Sequence, residues 1–477
     1  MGRLENALSA QQEAVSLFRA VVTHREEQKE DLADSLEQCG RTLSRMGRLE
    51  DALSAQQEAV SLFRAVVAHR EEQKGDLAVA LEHCGRTLSN MGRLEDALSA
   101  QQEAVSLFRA AVAHREEQQE NLAIALEQCG RTLSNIGRLE DALSAQQEAV
   151  SLFRAAVAHS EEQKENLAVT LRQCGRTLCD MGRLEDALSA EQEAVSLFRA
   201  VGAQREEQKE NLAIALEQCG YTLSKMGRLE DALSAQQEAV SLFRAVDAQR
   251  EEQKQNLAIA LEQCGRTLSN MGRLEDAFSA QQEAVSLFRA VVAHREEQKE
   301  NLAHTLWQYG RTLSKMSHLE DALSAQQESV CLFRVVVTHR EEQKECLAIA
   351  LEQCGRTLSK MGRFEDALGA QQEAVGLFRA LVAHREEQKE NFAIALGQCG
   401  RTLSGMGRLE DALNAQQEAV SLFRAVGAQR EEQKQNLAIA LEQCGRTFSK
   451  MGHLEDALSA EQEAVSLFPA LVAHGEC

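Results

Sequence analysis

Apolar positions fall into two helical sets that return every 45 residues along the chain. In one unit Leu122, Leu126, Cys129 and Leu133 are spaced at 4, 3 and 4, which is one face of an α-helix. A second set, Leu139, Ala142, Leu143, Ala149, Val150 and Phe153, gives the inward face of a second helix. Between them Gly137 follows Asn135 and Ile136, where a positive φ would end the first helix. Glu140 and Asp141 fall in the first turn of the second helix, where carboxylates complement the helix dipole. Asn121 fits the N-cap of the first helix, and nine of the ten equivalent positions are Asn or Asp, Cys346 being the exception.

The Met that opens the block recurs from Met1 to Met451, with Ile136 standing in once, so ten full periods and a truncated eleventh account for all 477 residues. A fixed period of this size marks a stacked repeat protein, in which each unit buries its apolar face against its neighbours. The expected organisation is an orphan second helix over residues 1–30, then ten tandem hairpins over residues 31–477 as one continuous array. Because the chain opens at the repeat's Met, midway through a hairpin, it reads as a fragment or an internal start. Between Phe153 and Asn166 no Gly or Pro compels the second helix to stop. A break near the Glu-Glu-Gln-Lys run gives a solenoid of hairpins, and no break gives a rod of long antiparallel helices. The Asn/Asp column is a start signal and favours the solenoid.

Composition narrows the functional classes. Hydrophobic content of 44%, a single Pro and 4% aromatics suit an all-α core. The net charge of −22 is spread over the whole array, which argues against nucleic acid or an anionic membrane surface as ligand. No run of 18 apolar residues and no secretory signal occurs, so a cytoplasmic protein is expected. Of the thirteen cysteines, nine form a column running from Cys39 to Cys444, just before the repeat's second glycine from the end of the first helix. Successive copies would stand about 20 Å apart, against a bridging limit of about 7 Å, so they read as small buried apolar residues. No HExxH, GxGxxG, GxxxxGK[ST] or GxSxG motif is present. An active site occurs once, whereas here each polar group recurs in nearly every unit, so neither catalysis nor a cofactor or metal is expected.

The small residues carry a family resemblance. Leu126, Gly130, Leu133, Gly137, Ala142 and Ala149, repeated through the chain, resemble the tetratricopeptide repeat and its longer-period bacterial and fungal versions. The period of 45 exceeds the usual 34, Gln146 stands where an aromatic is usual, and the terminating Pro is missing. The resemblance implies an α-solenoid of antiparallel hairpins forming a right-handed superhelix whose groove is lined by first helices. It places Glu127, Arg131 and Asn135 on that groove, and with them Asp180, Tyr221 and Lys225. Glu127 and Arg131, four apart, are spaced to pair along the helix. Co-chaperone members clamp a carboxylate with Lys and Asn, and this chain offers Glu and Gln there instead. The implied function is a non-catalytic scaffold that grips a peptide or helix of a protein partner. The alternative is the partner-binding or sensor arm of a larger signalling ATPase or protease.

Breaks in the pattern supply the remaining candidates. LAIALEQCG becomes LAHTLWQYG at residues 302–310, which puts His304 and Trp307 on the expected groove beside Arg311, while Tyr309 enters the Cys column and should overpack it. The column after Ser134 drifts towards Lys in the second half, at Lys315, Lys360 and Lys450, and would suit an acidic partner. Pro469 inside the last helix should fray that end, and exposed terminal repeats would permit self-association.

Overall fold

A computed structural model describes residues 2–22, 28–68, 70, 73–112, 119–156, 161–202, 205–246, 251–293, 295, 298–338, 340–427 and 431–467. The described residues are α-helical throughout, with short turns and 3-10 segments and no strand. Pro469 and Cys477 lie outside them.

Two compact units divide the chain, Met1–Val246 and Asp247–Cys477. The first opens with a lone helix, Gly2–Val22, followed by five hairpins, from Lys29–Arg45 with Leu49–Val67 to Glu206–Lys225 with Leu229–Ala245. The second holds five more, from Glu251–Asn270 with Leu274–Val292 to Glu431–Met451 with Leu454–Ser466. Within each unit every helix packs on its chain neighbours, so each unit is an α-solenoid.

The joint inside a hairpin follows the residue pattern. Gly137 has φ +91°, and the Gly137 and Arg138 amides donate to Ser134 O at 3.0 Å and Leu133 O at 2.9 Å, closing the first helix. Arg138 then pairs with Asp141 at 2.5 Å in the first turn of the second helix. Its two helices touch where a side chain is missing: a Cβ on Gly130 would lie 2.7 Å from Gln146 Cγ and 3.2 Å from Ala142 O. Gln146 is wholly buried there. The position that departs from the family's aromatic is therefore the filler of the glycine notch.

Between hairpins the helix does break. After Phe364–Val382 the chain turns at Ala383–Arg385 and runs through a 3-10 segment, Glu386–Gln388, into Lys389–Gly405; Gly202 and Gly427 end two other second helices at φ +88° and +83°. The start signal, however, sits elsewhere than expected. Asn121 lies inside Gln119–Ile136, and four other first helices begin at the glutamates of the Glu-Glu-Gln-Lys run, as in Glu161–Asp180. Carboxylates in the first turn favour that earlier start. Two of the column's asparagines bond sideways, Asn211 Nδ2 donating to Glu165 Oε1 of the preceding hairpin at 3.2 Å and Asn436 to Glu390 at 3.0 Å, and two bond to the glutamine three residues before them, Asn301 to Gln298 and Asn391 to Gln388.

Candidate functional site

First helices of successive hairpins touch one another within each unit, and second helices do not. Successive second helices are joined at exposed positions by long ion pairs, such as Arg109 with Glu148 at 2.6 Å and Arg334 with Glu373 at 2.7 Å. Such pairs add little stability. The first helices accordingly line the inner side of each unit, and their outward residues form columns one hairpin apart.

Glu127 is not the exposed groove residue its spacing suggested. It is only 7% exposed, and burial raises its carboxyl above the usual range against the pull of Arg131, Arg86 and Arg172. The expected pair with Arg131 is not formed: Arg131 donates to Gln128 Oε1, and Glu127 Oε1 has no hydrogen-bond partner among the described residues. Neighbouring first helices crowd this column from both sides, which a single helix's periodicity does not reveal. The i,i+4 pair does form elsewhere, with Arg86 on Glu82 at 2.6 Å and Arg356 on Glu352 at 2.6 Å. Arg172 breaks the glutamate column between Glu127 and Glu217; burial lowers its guanidinium, and both flanking carboxylates oppose the fall.

The other first-unit candidates cluster at the ends of their helices. Asn135 and Asp180 are exposed there, and Lys225 lies over the half-buried ring of Tyr221 at 4.8 Å.

In the second unit His304, Trp307, Arg311 and Lys315 share one helix, Lys299–Lys315. The His304 ring meets Phe333 edge-on at 5.0 Å, and burial lowers its pKa, favouring the neutral imidazole. Trp307 is half-buried against the core of Ala303, Val330, Phe333 and Leu351, with Arg311 over its face at 5.3 Å. The lysines lean onto the preceding hairpin: Lys315 Nζ donates to Ser269 O at 3.1 Å, Lys360 to Ser314 Oγ at 3.1 Å and Lys450 to Ser404 Oγ at 3.0 Å.

Sequence reasoning missed one feature here. The glutamate column of this unit runs Glu262, Trp307, Glu352, Gly397, Glu442, while the arginine column four residues on is unbroken from Arg266 to Arg446. With the three lysines, eight cations face three carboxylates. Between the last two first helices a cleft of about 360 Å³ is lined by Arg401, Ser404, Gln416, Glu442, Arg446 and Lys450. Gly397 was visible as a break of the same kind as Trp307.

Among the described residues no group of three His, Cys, Asp or Glu is placed to hold a metal, and no helix is long and apolar enough to cross a membrane.

Comparison with known proteins agrees with the hairpin geometry. The family described as "Tetratricopeptide repeat" matches residues 32–69, and "Anaphase-promoting complex subunit 5" matches residues 201–262, 241–307, 378–430 and 426–468. No curated protein matches the chain in sequence. Among solved structures it is similar to aspartyl phosphate phosphatase F from Bacillus subtilis, at 14% identity and TM-score 0.48, over 85% of this chain and 96% of that one. It is similar to the apo form of RapI at 15% identity and TM-score 0.46, over 63% of this chain and 97% of that one. It is also similar to YrrB, described as a TPR protein with an unusual peptide-binding site, at 22% identity and TM-score 0.29, over 47% of this chain and 91% of that one. The small-residue hairpins and the family match over residues 32–69 support a tetratricopeptide-type repeat protein, and the chain is folded as an all-α solenoid.

Proposed function

We propose that the protein is an interaction scaffold whose first-helix face grips a peptide or helix of a protein partner. The observation that supports this reading is the column arrangement itself. Outward side chains of the first helices repeat one hairpin apart along a face of closely touching helices, while the second helices present exposed Arg–Glu pairs that satisfy each other. Repeated equivalent contacts suit an extended segment, because each adds a little to a multivalent total. Asn135, Asp180, Tyr221 and Lys225 would serve in the first unit; His304, Trp307, Arg311, Lys315, Lys360 and Lys450 would serve in the second. Glu127, buried, and Arg131, bonded to Gln128, would underlie this face.

A photo-crosslinking amino acid introduced singly at Asn135, Lys225 or Lys315, and at the second-helix positions Ser151, Ser241 or Gly376, tests the reading in cells. Crosslinks to another protein should form from the first group. Crosslinks from the second group alone, or from neither, would contradict it.

A further inference from the structure

The inner side of the second unit carries more cations than its own carboxylates match, in a protein of net charge −22, and two breaks in one column account for it. In this unit Glu352 and Glu442 each pair with the arginine four residues on, Arg356 and Arg446. Trp307 and Gly397 remove that carboxylate from Arg311 and Arg401. Arg311 is left stacked on the Trp307 ring with its Nε unpartnered among the described residues. Arg401 has a neutral partner: with the Gln443 amide turned so that its nitrogen donates to Gly397 O at 3.1 Å, its oxygen accepts from Arg401 at 2.6 Å. Burial, and then the neighbouring Arg356 and Arg446, lower the Arg401 guanidinium from its usual range, with Glu352 and Glu442 opposing the fall. Position 397 has room for a side chain: a Cβ there would meet nothing nearer than Gln443 Oε1 at 3.7 Å.

We infer, on the interaction reading above, that the inner face of the second unit docks an acidic protein segment whose carboxylates take the places of the two missing glutamates at Arg311 and Arg401. A carboxylate entering the cleft meets Arg401, which lacks the glutamate four residues before it, and Lys450, while Arg446 is already paired with Glu442. Trp307 adds an apolar station under one of the two arginines. A side-chain carboxylate is the favoured anion because the arginines already receive that group, in that geometry, from the intact copies of the column.

The test uses the full chain and three helix-forming peptides of equal length, rich in Glu, in Gln and in Lys, titrated by calorimetry. The Glu-rich peptide should bind tightest, and its affinity should fall steeply with added salt. Restoring the column with Trp307→Glu and Gly397→Glu should weaken it roughly tenfold, as two partly buried charge pairs are lost. Gly376→Glu, the same change at an exposed second-helix site with open space around it, should leave binding unaltered. Circular dichroism monitors the fold of each variant. The inference is overturned if the Glu-rich peptide binds no better than the Gln-rich one, or if Gly397→Glu and Gly376→Glu have equal effects. Should the Gln-rich or Lys-rich peptide bind best and be displaced by inner-face substitutions, the acidic inference fails while the interaction reading stands.

Discussion

The rings of Phe278 and Tyr309 lie 5.6 Å apart, inclined by 31°, across the contact between one second helix and the following first helix. In the equivalent contact of the first unit Leu188 meets Cys219. Both residues of the pair have therefore changed together, and Tyr309 is half-buried with its ring on a partner of matching size, so the overpacking expected of Tyr in a Cys site is relieved. Tyr309→Cys alone should destabilise, because it empties the space beside Phe278. Adding Phe278→Leu should recover part of the loss. The coupling in a double-mutant cycle should be about 0.5–1.5 kcal/mol; strictly additive effects in urea denaturation would show that the rings do not support each other.

Two glycines of the same helix type should respond oppositely to alanine. A Cβ on Gly220 would lie 2.7 Å from Gln236 Cγ and 3.1 Å from Ala232 O, so Gly220→Ala should force the hairpin apart and cost about 1–3 kcal/mol. Gly397 has room and sits inside a helix, where alanine is preferred by about 1 kcal/mol, so Gly397→Ala should leave stability unchanged or raise it. Thermal melts of the two variants separate the outcomes.

Glu191 replaces the buried glutamine of its column and is 1% exposed. Gln218 Nε2 and Thr222 Oγ1 both donate to its Oε1 at 3.0 Å, yet burial outweighs them and raises its pKa from 4.5 to about 7. A raised carboxyl pKa means that the folded state prefers the proton. The stabilisation is complete below the ordinary value and is lost as pH rises towards about 7. The loss amounts to about 3 kcal/mol over that window, at 1.36 kcal/mol per pKa unit. Hydrogen exchange in Leu184–Val201 and Glu206–Lys225 should quicken across it beyond the intrinsic rate change, and Glu191→Gln should abolish the effect. An unchanged pH profile in that variant would rule out Glu191 as the cause.

Ser317 is the single non-glycine residue at positive φ among the described residues, at +67°, in the joint where the other hairpins place glycine. The left-handed conformation costs a side-chain-bearing residue about 1–2 kcal/mol. Ser317→Gly should raise the stability of this hairpin by about 1 kcal/mol, seen as slower exchange in Lys299–Lys315 and Leu319–Val337. No change would mean that Ser317 bears no strain.

How far the sequence could be read depended on whether a property belongs to one helix or to several. The faces of Leu122–Leu133 and Leu139–Phe153, and the stop at Gly137, are set within a hairpin and were legible. The burial of Glu127 depends on how closely the next first helix approaches, which no spacing along one helix records. Gln146 was visible as a departure from the family's aromatic, but its role appears only when Gly130 is seen opposite it. The start at Asn121 was misplaced because the Glu-Glu-Gln-Lys run, read as a place to break, also starts helices. In the candidate face, Trp307 drew attention through its size; Gly397 changes the charge balance as much by removing a side chain.

On the proposed function, partners are held along the first helices. Hydrogen–deuterium exchange, with and without the protein captured by photo-crosslinking, tests it most directly. The account expects slowed exchange confined to first helices such as Glu206–Lys225, Lys299–Lys315 and Lys389–Gly405, with Leu229–Ala245 and Leu319–Val337 unaffected. Slowing confined to the second helices would contradict it.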